Sequence, residues 1–177
     1  VTEQKRSGVG PLRWIISLVI LAVVGSVWFG FSQGDLRALQ VVGRSMEPTL
    51  EPGDQLIVRR LKEGEPVRGS MVVMLSPDDN GSEMIKRVVA VPGDRIAMRN
   101  GVLSVNDAES PPPEGVHGYN PQHPYWQMTL GPDQFFVLGD NRAESHDSTE
   151  FGPVGRALFT GSVVWRYGPS GRRGKVK

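Results

Sequence analysis

Ser45 and Lys86 are the two residues of this 177-residue chain whose settings suit covalent chemistry. Ser45 stands in Gly43-Arg44-Ser45-Met46-Glu47-Pro48-Thr49-Leu50, and Pro52 follows in Glu51-Pro52-Gly53-Asp54. Two prolines stiffen the segment, and a hydroxyl held on a stiff turn becomes a nucleophile when a base takes its proton. A serine beside a proline turn more often bonds its own backbone, so Ser45 alone decides nothing. Lys86 is the candidate base. Strand alternation in Met84-Ile85-Lys86-Arg87-Val88-Val89-Ala90 places Ile85, Arg87 and Val89 on one face and Met84, Lys86, Val88 and Ala90 on the other. A lysine on that apolar face either snorkels to water at an edge or is buried. Burial lowers its pKa toward neutrality, as removal of a serine proton requires. Such a dyad needs no third member, because the protonated lysine can return its proton to a leaving amine.

Histidine chemistry is the weaker alternative. His146 and Asp147 are adjacent, and adjacent side chains seldom act as base and orienter for one serine. His117 and His123 lie in a proline-rich stretch without a supporting cysteine or carboxylate pattern, so no metal is expected. No glycine-rich phosphate loop is evident either, since Gly8 and Gly10 lack a preceding strand.

The elements that must carry the two residues read as short strands. Residues 36–42 lead into the serine segment, 55–60 form a second strand, and 70–75 a third. Asn80-Gly81 suggests a tight hairpin joining 70–75 to the lysine strand, which would hold the base on rigid sheet. Pro92-Gly93-Asp94 turns the chain into 95–99, Asn100-Gly101 into 102–105, and 134–138 is a further apolar strand. Residues 106–128 carry Pro111-Pro112-Pro113, Pro121 and Pro124 and read as an external loop, either covering a groove or simply solvated. Residues 141–151 are polar and expected to be irregular, with closing strands at 154–157 and 162–167. The expected body, 33–168, is mostly β, and 169–177 is expected to be a flexible basic tail, solvated or against anionic lipid.

Ahead of the body, residues 14–31 contain no charge and, at about 1.5 Å per residue, approach the thickness of a hydrocarbon core. Trp14, Trp28, Phe29 and Phe31 lie near the ends of that stretch, where interfacial rings collect. No clear Ala-x-Ala site follows, so 14–32 reads as an uncleaved transmembrane anchor rather than a cleaved leader. Lys5, Arg6 and Arg13 precede it, which places residues 1–13 in the cytoplasm and the body outside. The eight basic residues and one acid within 1–13 and 166–177, set aside, leave 12 basic against 18 acidic residues in between. A net-negative body argues against nucleic acid as a partner. The chain has no cysteine, which suits an exported body without disulfides and a cytosolic one equally.

The serine and lysine segments, with Gly139-Asp140-Asn141-Arg142-Ala143-Glu144-Ser145-His146-Asp147-Ser148, resemble in type and order the conserved boxes of bacterial type I signal peptidases, over roughly residues 12–168. The resemblance implies the catalytic β-fold that these enzymes share with LexA-like self-cleaving repressors, here behind one transmembrane helix. It implies a membrane-bound serine endopeptidase that needs no cofactor and removes signal peptides from preproteins after small residues, usually Ala-x-Ala. Ser45 would be the nucleophile and Lys86 the general base, with the Ser45 backbone N–H holding the oxyanion. Some relatives add a hydroxyl two residues earlier, where this chain has Gly43. Ser145 would orient the lysine, and Asp140, Arg142 and Asp147 would support the site, Arg142 pairing with Asp147. Relatives usually carry arginine where this chain has Thr149, so a salt bridge there is lost or replaced. Met46, Leu50, Ile85 and Val88 are the expected substrate-contacting residues, although alternation cannot place all four in one cleft. Expected partners are preproteins and membrane lipid, and the expected state is a monomer. Two other readings remain: a dedicated processing peptidase of the same Ser-Lys class, and a tethered β-domain that binds without cutting.

Overall fold

The structure is a computed structural model that describes residues 11–32, 34–79, 81–113, 118–119, 124–169, 171 and 173–175. It divides into two units, residues 1–36 and 37–177. The first unit is dominated by helix α1 (Pro11–Ser32). Proline is at home at its first position, where the missing N–H would have had no helical partner. The Leu12–Phe29 stretch is long and apolar enough to cross a membrane, and none of it is buried within the protein.

The second unit is built of strands. β1 (Leu36–Gln40), β2 (Gln55–Arg59), β3 (Met71–Leu75) and β4 (Glu83–Ala90) come first, then β5 (Arg95–Arg99), β6 (Val102–Val105) and β7 (Ala108–Glu109). β8 (Trp126–Thr129), β9 (Gln134–Leu138), the short helix α2 (Ser148–Phe151), β10 (Val154–Gly155), β11 (Phe159–Tyr167) and β12 (Arg173–Gly174) follow. One sheet runs β1-β2-β11-β3-β4-β9-β10, with β12 on β11, and a smaller one runs β7-β6-β5-β8. The larger sheet curls. Three strands separate β1 from β4 in its order, yet Arg37 of β1 reaches Glu83 of β4. The result is a trough, or half-barrel, with apolar packing beneath the serine segment: Val41, Met46, Leu50, Leu56, Val58, Met71, Val73 and Val163. A second cluster, including Ile96, Met98, Leu103, Phe136 and Leu138, brings together residues of the two sheets.

The mostly β body and the apolar N-terminal helix agree with the sequence reading, and four local expectations are corrected. The hairpin joining β3 and β4 exists, with Leu75 opposite Glu83, but residues 76–82 close it and Ser76 N–H donates to the Ser82 carbonyl. A tight Asn80-Gly81 turn would draw Pro77 into the ladder, where it has no N–H to give. Asn80 itself lies outside the described residues. Within 106–128, Ala108–Glu109 pairs with β6 and Trp126–Thr129 pairs with β5, while 114–117 and 120–123 lie outside the described residues. Residues 141–151 hold a 3-10 turn, Arg142–Glu144, and the helix α2. In the tail, Arg173 and Gly174 pair with Tyr167 and Arg166, extending the large sheet where a free end was expected.

Candidate active site

Ser45 sits between β1 and β2 in a segment closed by its own backbone. Glu47 N–H donates to Arg44 O at 3.0 Å and Leu50 N–H to Met46 O at 2.8 Å. The segment is also fixed from outside. Asn141 N–H donates to the Ser45 carbonyl at 3.0 Å, and Thr49 Oγ1 donates to Asp140 Oδ2 at 2.6 Å. Met46 and Leu50 anchor it in the core, leaving Ser45 half-buried above them.

Lys86 is 3% exposed, on the β4 face it shares with fully buried Val88; a register shift between Val88 and Ala90 breaks the expected alternation and sends Ala90 into the other apolar cluster, with Phe136. Desolvation pushes its pKa below the ordinary lysine value, against the opposing charges of Asp147 and Glu150. Its Nζ donates to Ser145 Oγ at 3.0 Å. A direct hydrogen bond between Lys86 and Ser45 is not formed among the described residues. Gly139 links the two halves. A Cβ there would lie 2.2 Å from Ser145 Oγ and 2.5 Å from the Ser45 carbonyl oxygen, so the lysine's partner and the serine's backbone both crowd a point only glycine leaves empty.

Charge pairing in the box differs from the expected pattern. Arg87, next to Lys86, donates from Nε and Nη2 to the two oxygens of Asp140 at 2.8 and 2.7 Å, and from Nη1 to Gly69 O at 2.9 Å. Asp140 is fully buried and also takes the Thr49 hydroxyl. The expected pair of Arg142 with Asp147 is not formed among the described residues. Asp147 is the N-cap of α2: its Oδ1 accepts from Thr149 N and Oγ1 at 3.1 and 2.8 Å, and its Oδ2 from Gly139 N at 3.1 Å. Those bonds occupy both oxygens, and two of them come from Thr149, the position where the resemblance led to the expectation of an arginine. Buried Arg142 instead places its guanidinium 5.9 Å from the centre of the Tyr119 ring. His146 turns its ring nitrogens to Glu150 and Asp78, at 2.8 and 2.7 Å, and neither to Ser45.

A cleft of about 360 Å³ runs from Ser45 along the trough. Leu39, Gln40, Val41, Val42 and Gly43 line one wall, Glu83, Met84 and Ile85 the other, with Met46 and Val73 between them. Of the expected contact residues, Met46 and Ile85 are here. Leu50 and Val88 have no exposed surface and pack inside the body. Gly43 stands with open space where a side chain would be. Met84 and Glu83 were not singled out in the sequence, because the wall they form exists only once the sheet has curled. Asp147-Ser148-Thr149-Glu150 did carry a usable signal for α2, an N-cap aspartate with glutamate three residues on.

The family model described as "Signal peptidase, peptidase S26" matches residues 12–168. The chain is similar to a signal peptidase I of Bacillus caldolyticus, at 32% identity over 96% of both chains. It is also similar to a probable signal peptidase I-2 of Synechocystis, at 31% identity over 98% of this chain and 82% of that one. A solved signal peptidase I from Enterococcus faecalis V583 aligns with a TM-score of 0.47 and 26% identity, covering 57% of this chain and 98% of that one.

Proposed function

This chain belongs to the peptidase S26 family of signal peptidases, and from that premise we propose that it is a membrane-anchored endopeptidase in which Ser45 attacks and Lys86 is the general base. The observation that carries the reading is Lys86 itself: buried, its pKa lowered, and its amine held by Ser145 at 3.0 Å beside the segment bearing Ser45. Burial disfavours the charged amine, and in its neutral form Lys86 can take the Ser45 proton as Oγ bonds to the scissile carbonyl carbon. The carbonyl π pair moves to the oxygen, where the Ser45 backbone N–H supplies a donor and Gly43 adds none. The protonated lysine then gives its proton to the departing amine, leaving an acyl-serine. Water, deprotonated by the same lysine, hydrolyses that ester and frees the serine.

The cleft suits an extended chain. The first half of β4 pairs with β3 on one side only, because β9 joins β4 from Arg87 onward, and β1 ends the order of its sheet. A substrate segment can lie along such strand edges with its side chains alternating into the trough. Small residues near the scissile bond, Ala-x-Ala in the resemblance, fit the narrow space between Met46 and Ile85. The α1 stretch holds the body in the plane of its membrane-bound substrates and raises their effective concentration. The basic residues ahead of α1 orient the body to the extracytoplasmic side of the cytoplasmic membrane.

The test is cleavage of an Ala-x-Ala preprotein by the detergent-solubilised full chain, beside Ser45→Ala and Lys86→Ala, with the cut site read by mass spectrometry. Cleavage directly after the second alanine, abolished in both folded variants, is the expected result. Substantial cleavage by folded Lys86→Ala removes the dyad, and no cleavage of any of several preproteins by folded wild-type protein removes the general peptidase.

A further inference from the structure

Among the described residues, Arg142 is a buried cation without an anionic partner. Only 5% of it is exposed, yet its Nε and Nη1 have no hydrogen-bond partner among the described residues. Buried charges nearby are matched: Asp140 holds Arg87, Asp94 takes Arg68 Nη2 on Oδ1 at 2.6 Å, and Asp147 caps α2. The Tyr119 ring, 5.9 Å from the Arg142 guanidinium, offsets part of the cost of burial through its π face. A ring face does not replace the acceptors that the two nitrogens lost on leaving water.

Arg142 lines two cavities, and their linings differ in sign. One, of about 470 Å³, also carries Glu144 and Glu150, which would repel an anion. The other, of about 410 Å³, is lined by Arg68, Arg87 and Arg142, with Asp140 as its one acid. Arg87 engages both oxygens of that aspartate, so the pair leaves the charge of Arg142 uncompensated. Three guanidinium groups on one cavity stand out in a body whose residues 14–165 hold 12 basic against 18 acidic side chains. Arg68 commits Nη2 to Asp94, and its side chain, 48% exposed, still presents guanidinium surface to solvent. Pro111, Pro112 and Pro113 form an apolar wall of the same cavity. The volume falls within the ~300–1,000 Å³ of small-molecule sites, more than a bare ion fills.

We propose that this cavity binds the phosphate group of a small organic phosphate, with Arg142 and Arg68 as charge-assisted donors and the three prolines against the organic part. Guanidinium N–H groups match phosphate oxygens, and those oxygens diverge, so two separate arginines can each meet some of them. A carboxylate offers only two oxygens in one plane. Arg87, already held by Asp140, adds to the local field and forms no new bond. A soluble phosphate ester and a phospholipid headgroup present the same recognised group.

The experiment is isothermal titration calorimetry of the full chain in nonionic detergent, with glycerol 3-phosphate in one arm and short-chain phosphatidylglycerol in the other. The expected result is saturable binding of about one equivalent of at least one probe. Tighter binding of glycerol 3-phosphate assigns a soluble ester, and tighter binding of phosphatidylglycerol assigns the headgroup. Arg142→Gln should raise the half-saturating concentration about tenfold or more, the scale of a lost hydrogen bond to a charged group. Arg68→Gln, at a half-exposed position, should raise it about threefold. Absence of saturation by either probe, or a folded Arg142→Gln that binds as the wild type does, would overturn the inference. Should Arg142→Gln fail to fold, Arg68→Glu decides, because it sets a carboxylate beside the cavity: lost binding supports the site, and unchanged binding overturns it. Calorimetry reads binding without turnover, so a chain that cleaves no preprotein would overturn the peptidase reading and leave this result standing.

Discussion

Gly139 carries a constraint that no side chain could meet. Alanine there would put a methyl group into the Ser145 hydroxyl and the Ser45 carbonyl together, so both must move, and with them the lysine's partner and the nucleophile's backbone. Displacements of about 1 Å at reacting groups cost on the order of 100-fold in rate. Gly139→Ala is therefore expected to lose roughly that much kcat in the preprotein assay while keeping its β-sheet circular dichroism; near-normal turnover would show that the site relaxes around the methyl. Lys86 makes a prediction about pH. Burial lowers its folded pKa below the unfolded value of about 10.4, so between those two values the unfolded chain binds more protons and stability rises with pH. Below the folded pKa the full cost of burying the ammonium is present. Lys86→Met should thus raise Tm most on the acid side and lose its advantage as pH climbs toward the unfolded value, a trend that thermal unfolding between about pH 6 and pH 10 would reveal. A constant difference would mean that the amine titrates normally. Alternation left burial of Lys86 open against snorkelling at a sheet edge, so only its face was legible in the sequence. The role of Gly139 was not, since it arises from the approach of Ser45, 94 positions earlier in the chain.

Elements are held in place here by polar clamps as much as by packing. β4 is joined to the turn after β9 by Arg87 on Asp140, and the same aspartate ties down the serine segment through Thr49. Asp140→Ala strands a largely buried guanidinium and should cost on the order of 3 kcal/mol in urea unfolding. Replacing both partners with apolar residues should cost less than that single change, because no charge is then left buried. A double replacement as damaging as the single one would show that packing, rather than charge, holds the turn. Strand identity was readable wherever apolar residues alternate against a neighbour close in sequence, as in β3 with β4 and β5 with β6. It failed for Trp126–Thr129, whose partner β5 lies beyond a proline-rich excursion and whose exposed Gln127, Met128 and Thr129 give it no apolar face. The helix α2 escaped notice because its four residues are too few for a periodic pattern, and only its cap announces it.

At the scale of the molecule, one unit supplies a helix long and apolar enough to cross a membrane and the other a curled sheet. The full chain is expected to stay with the membrane fraction through an alkaline wash, and a form lacking residues 1–32 to be released; retention of the shortened form would give the body a membrane affinity of its own. Protease added outside spheroplasts should digest the body, and protection there would reverse the proposed orientation. Curling was not legible in the sequence, because it depends on the order β1-β2-β11-β3-β4, which brings β11 from the far end of the chain between β2 and β3. The curl leaves the edge of β1 and the first half of β4 facing a trough, and that openness bears on solubility. Strand edges ready to accept a substrate chain are equally ready to accept another copy of the same protein, and the proposed anchor would bring such copies together often in one plane. The ion pair of Arg37 on β1 with Glu83 on β4 places charge between those two strands, as gatekeeping residues do beside aggregation-prone strands. Replacing Arg37 and Glu83 together by glutamine is by the same reasoning expected to lower the concentration at which the protein aggregates.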